Sequence, residues 1–94
     1  MNTATILQLT KSRIGISGTV RDAYLTAIIE SIIEELSDVK GIVLDPSNKN
    51  QEMFIVDYAT WRYQNKDGDK GMPRNLQYRL HDIIIHNGGA SDGV

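Results

Sequence analysis

Six aliphatic residues, Leu25, Ile28, Ile29, Ile32, Ile33 and Leu36, recur at alternating intervals of three and one. On a helix of 3.6 residues per turn that spacing draws one continuous apolar stripe, whereas a strand would scatter it over both faces. Glu30, Glu34, Glu35 and Asp38 fall mostly on the opposite side, and Gly41 marks the stop. The chain must therefore fold around at least one amphipathic helix whose solvent face is acidic. Thr19 followed by Asp22 has the spacing of an N-terminal capping box, with Asp in place of the usual Glu or Gln.

The neighbouring stretches extend the same architecture. Ile6, Leu7, Leu9 and Ile14 predict a short helix ending near Gly15. A third helix, over about 50–65, carries Met53, Phe54, Ile55, Val56, Tyr58, Ala59 and Trp61. It is apolar almost all round in its first half, which predicts a central helix covered on more than one side. Residues 65–71, NKDGDKG, read as a turn, and Pro73 suits the first turn of a fourth helix on Leu76, Leu80, Ile83 and Ile84. Ile42, Val43 and Leu44, bounded by Gly41 and by Asp45-Pro46, predict one short extended segment with no partner strand. The expected fold is all-α: a small bundle of about four helices with one short extended segment near 42–44. Residues 1–86 form the expected domain. The remainder, 87–94, has almost no apolar content and is expected to be a flexible tail.

Ninety-four residues make one domain with a modest core. There are no cysteines, so disulfides and the commonest structural zinc sites are excluded, and two histidines are too few for a metal site alone. Oligomerisation is then the natural supplement to stability. The N-terminus lacks the basic start and apolar run of a signal peptide, and the longest apolar tract, Met53–Val56, is far too short to span a bilayer. A soluble protein made in a cytoplasm, with no membrane partner, is expected. The net charge of −2 argues against a dedicated nucleic-acid binder. That small value hides segregation: residues 1–21 carry +3, 22–57 carry −6, 58–81 carry +3 and the tail −2. Such a pattern fits either ordinary solvated faces or a protomer that attracts its own copy sideways.

Chemistry is hard to find. Asn65, Asp67 and Asp69 alternate like the opening of a calcium loop, but Lys70 occupies the glycine position and Leu76 that of the bidentate Glu. Glu34 and Glu35 are adjacent and diverge on a helix, so they are not a general acid/base pair. Ser12, Ser17 and Ser31 lack a nucleophile-elbow pattern, and His81 and His86 point in different directions. Neither a cofactor nor an enzymatic activity is expected. Asp57 interrupts an apolar helix, which predicts pairing with Arg62, Arg74 or Arg79 to fix how the last two helices meet, or else an interface role. Tyr58 and Trp61 fit the core first and a docking surface second.

The stretch from Asp57 to Leu80 holds three of the four tyrosines, the only Trp and half of the basic residues. Its VDYATWRYQN, turn and MPRNLQYRLHDII follow an ILQLTKSRIGI segment and an acidic helix opening RDAYL. That order resembles the head–tail connector (adaptor, head-completion) proteins of long-tailed bacteriophages, a family also associated with DNA packaging. The resemblance covers about residues 4–86 and is most specific at Asp57-Tyr58-Ala59, Trp61-Arg62-Tyr63 and Pro73, Leu76 and Leu80. It implies a virion protein that assembles as a ring, commonly twelve-fold, beneath the portal. There it would complete the DNA-filled head and form the platform for a downstream head-completion or tail protein. DNA would pass through without sequence-specific binding, which suits an acidic protein better than a basic one. The resemblance further implies that the C-terminal segment reaches the portal, with His86, Asn87, Gly88 and Gly89 as docking candidates. Glu30, Glu34, Arg74 and Arg79 are the ring-interface candidates. Asp57, Tyr58, Trp61 and Arg62 are expected as the structural pair and core.

Two other readings remain open. One is a small helical DNA-binding or regulatory module using Lys70, Arg74 and Arg79. The other is a helical adaptor docking one host protein.

Overall fold

In the computed structural model, residues 1–65 and 71–87 are described. Residues 66–70, expected as a turn, and residues 88–94 lie outside them, and with them most of the calcium-like spacing and most of the expected flexible tail. The elements are α1 (Thr3–Ile14), α2 (Asp22–Glu34) continued by a π-helical turn (Glu35–Val39), α3 (Lys49–Gln64) and α4 (Arg74–Asn87). The expected all-α bundle of four helices is what forms. The segment at 42–44 is non-helical, with Ile42 buried and Val43 exposed.

Several helix boundaries have a local cause. Asn2 caps α1, its Oδ1 accepting from Thr5 N–H at 3.1 Å. Gly15 ends α1 at φ +94°, where the Gly15 and Ile16 N–H groups both return to the Lys11 carbonyl. Asn48 caps α3 through Gln51 N–H. Gly41, at φ +69°, closes the π turn as the Ile42 N–H donates to the Leu36 carbonyl. At the start of α4 the Pro73 carbonyl accepts from Gln77 N–H at 3.0 Å.

The expected capping box at α2 is absent. Arg21 occupies the N-cap position without a side-chain cap, and Thr19 contributes only its backbone carbonyl, to Asp22 N–H. The reason is competition for Asp22. Its carboxylate lies 2.8 Å from the buried Lys11 ammonium, an ion pair that ties α2 to α1. The contact is off any hydrogen-bond direction, so Asp22 Oδ1 is buried with a charge partner but no hydrogen bond.

α1, α2 and α3 pack against one another, and α4 lies on α3. The predicted stripe of α2 is the core face: Leu25, Ile28, Ile29, Ile32 and Leu36 are buried, and Ile33 partly so. α3 is central as expected, burying Phe54, Ile55, Val56, Tyr58, Ala59 and Tyr63 against its three neighbours. α4 contributes Leu76 and Ile83, with Leu80 and Ile84 at the margin. From α1 only Ile6 is fully buried among the four aliphatics; Thr10 sits inside, its Oγ1 donating to the Ile6 carbonyl at 2.7 Å. None of these helices is long and apolar enough to cross a membrane.

Candidate functional site

Asp57 is the hinge pin of the molecule. Its Oδ2 accepts from Arg79 Nη1 at 2.7 Å and its Oδ1 from Arg13 Nε at 3.1 Å. One carboxylate thus joins three helices, α1, α3 and α4. Arg79 was among the three partners expected; Arg13 was not foreseen, because a contact 44 residues away leaves no periodic trace. The Arg79 guanidinium also lies over the Phe54 ring, 5.7 Å from its centroid.

Arg62 does not pair with Asp57. Five residues further along a helix is a rotation of about 140°, which turns Arg62 toward a different flank of α3. There it faces α2 and the π turn. Its guanidinium donates to Tyr58 Oη (2.8 Å), Ser31 Oγ (3.2 Å) and Glu35 Oε1 (3.3 Å), and covers the Tyr58 ring at 4.8 Å. Burial raises the Tyr58 phenol above its ordinary value near 10, an effect that the nearby Arg62 charge opposes and Glu35 reinforces. α2 and α4 therefore lie on different flanks of α3: Arg79 ties α4 to it, while Arg62, together with Arg21 at the start of α2 donating to Tyr63 Oη, ties α2.

Around Asp57 the three helices leave an open cleft of about 210 Å³. Trp61, Pro73 and Leu76 supply its apolar wall, and Arg13, Gln64 and Asn75 its polar rim. Pockets for whole small molecules run from about 300 Å³ upward, so this one accommodates a side chain or two rather than a cofactor. Trp61, half-buried, is both core and cleft: its ring lies 6.2 Å from that of Tyr58, which is buried in the core.

The other candidates fall in distinct places. Glu30 and Glu34 are exposed on α2 and have no ion pair among the described residues. Arg74 is exposed on α4, while Arg79 is engaged by Asp57. His86 is exposed near the end of α4, its Nδ1 2.9 Å from the Asp82 carbonyl, and Asn87 is the last helical residue. Gly88 and Gly89 lie outside the described residues.

A second unforeseen residue is Gln51, only 1% exposed at the start of α3. Its Nε2 donates to the Val43 carbonyl (3.2 Å) and its Oε1 accepts from Asp45 N–H (2.8 Å). The side-chain amide thus holds the backbone at Val43 and Asp45, beside the Ile42 N–H bond to the Leu36 carbonyl. The one sequence signal for it was a polar residue just ahead of an apolar run, a pattern that capping also produces.

Among the described residues, both Asp57 oxygens are taken up by Arg79 and Arg13, and the Thr60 hydroxyl donates to the Val56 carbonyl at 2.8 Å. No family model, no curated protein and no solved structure matches the chain.

Proposed function

We propose that this chain is a structural head–tail connector of a bacteriophage, assembling as a ring beneath the portal. In that role it completes the DNA-filled head in the virion and forms the platform for tail attachment. The observation that carries the reading is the ordered block Asp57-Tyr58-Ala59, Trp61-Arg62-Tyr63 and Pro73, Leu76 and Leu80. In the fold these residues serve packing and pairing: Asp57 and Arg62 lock α3 to its neighbours, Tyr58 and Leu76 fill the core, and Pro73 immediately precedes α4, its carbonyl accepting from Gln77 N–H. An exposed acidic face on α2 and unequal flanks of α3 further support a repeating lateral contact. The partners on this reading are the portal, further copies of the chain in a twelve-fold ring, and a downstream head-completion or tail protein.

A DNA-binding module is the second reading, favoured by the exposed series Arg74, Tyr78 and His81 along α4. It is weakened by Arg79, whose charge is already met by Asp57. Sedimentation of the protein with purified portal, beside a gel shift on duplex DNA, separates the two. Cosedimentation with portal and an unshifted duplex supports the connector. A salt-sensitive shift without portal binding replaces it with the DNA-binding reading.

A further inference from the structure

The Arg13 guanidinium has more hydrogen-bonding capacity than the fold uses. It carries five N–H donors, of which Nε–H reaches Asp57. Among the described residues its two terminal nitrogens have no acceptor, and the side chain is 59% exposed at the rim of the cleft. Among the described residues, Arg13 and Arg79 together outnumber Asp57 by one positive charge there. Gln64 and Asn75 line the same rim with exposed amides. An apolar wall, a fork of donors with no acceptor among the described residues, and room for a side chain or two form a receptor for a carboxylate side chain.

Glu30 and Glu34 are the matching groups. They stand one helical turn apart on α2, exposed and without ion pairs among the described residues, in the most acidic part of the chain. They cannot serve the cleft of their own chain, because α2 packs on a different flank of α3 from the one that carries Asp57. We propose that the cleft between α1, α3 and α4 receives a glutamate from the α2 face of a second copy, with Arg13 as the receiving cation. The proposal rests on the ring reading and adds its lateral contact. Receptor and ligand occupy different surfaces of one chain, so the contact is head-to-tail and leaves both surfaces free for the next copy. Both arginines bind Asp57, but Arg13 is the more exposed of the two, 59% against 34%, so the basic partner of the acidic helix is here Arg13 rather than the expected Arg74 or Arg79.

A charge swap tests it. Arg13→Glu makes the cleft acidic, and Glu30→Arg with Glu34→Arg makes the α2 face basic. Each variant alone should associate at least about tenfold more weakly than the parent, because like charges then meet at every contact. An equimolar mixture should recover association, since each variant now complements the other at both surfaces. Sedimentation velocity, with and without portal, reads the size, and thermal melts confirm folding. Arg13→Gln, which avoids a second carboxylate beside Asp57, provides a further weakened variant if Arg13→Glu is unfolded. Rings on portal from each variant alone would overturn the cleft contact and leave the connector reading standing. Mixture-dependent association without portal binding would uphold the contact and remove the connector reading. A parent that never self-associates, with or without portal, would overturn both.

Discussion

Arg79 Nη1 stands 2.7 Å from Asp57 Oδ2 across the α3–α4 joint, and among the described residues this pair is the ion pair that holds α4 to the bundle. Both side chains are about a third exposed or less, so water screens the attraction only in part. Asp57→Ala should destabilise the fold by about 1–2 kcal/mol, since it also leaves Arg79 without its acceptor. Arg13→Ala, at the wetter end of the same carboxylate, should cost about 0.5 kcal/mol or less. Urea titrations of both single variants, Arg79→Ala and the Asp57/Arg79 double variant check this. A coupling near zero would show that α4 is held by Leu76 and Ile83 alone.

Gln51→Ala should cost about 1–3 kcal/mol, because it strips the Asp45 N–H and the Val43 carbonyl of their partners. Amide exchange at Asp45 should accelerate more than exchange in the middle of α3. Uniform acceleration would mean that the amide supports the whole fold rather than the 42–44 segment.

Two glycines should respond in opposite directions. Gly15 has φ +94°, so Gly15→Ala forces a side chain into the left-handed region and should destabilise by about 1 kcal/mol. Gly18 has open space and no left-handed φ, so Gly18→Ala should stabilise by about 0.4–1 kcal/mol through the unfolded chain. Thermal melts of the two variants suffice.

Stability should also fall in alkali, with a definite sign. The Tyr58 phenol is raised by burial, so the unfolded chain loses this proton at a lower pH than the folded one. The associated stability is complete below pH about 10, the ordinary tyrosine value, and is lost as pH rises through the folded value. Tyr58→Phe should flatten that fall in melts between about pH 9 and 11.5. An unchanged slope would assign the alkaline loss to other groups.

These tests fall partly on residues legible in the sequence and partly on residues that were not. The stripe from Leu25 to Leu36, the all-round apolar α3 and the Leu76–Ile84 face were readable because burial imposes a helical period. Asp57 was readable as an anomaly, a charge inside an apolar run, and Arg79 was one of its three expected partners. Arg13 and Gln51 carried no such mark, since their partners are set by how elements dock. The capping box failed for the same reason: Lys11 of another helix claims the Asp22 carboxylate that local spacing had assigned to the cap. The π turn at Glu35–Val39 likewise has no signature in spacing alone.

The connector assignment is tested most directly at the portal vertex. DNA-filled, tailless heads should be imaged by electron microscopy with and without the purified protein. The account predicts an added ring of density beneath the portal, present only with the protein and with α2 of each copy facing the Arg13 cleft of the next. A bare portal at saturating protein would contradict it.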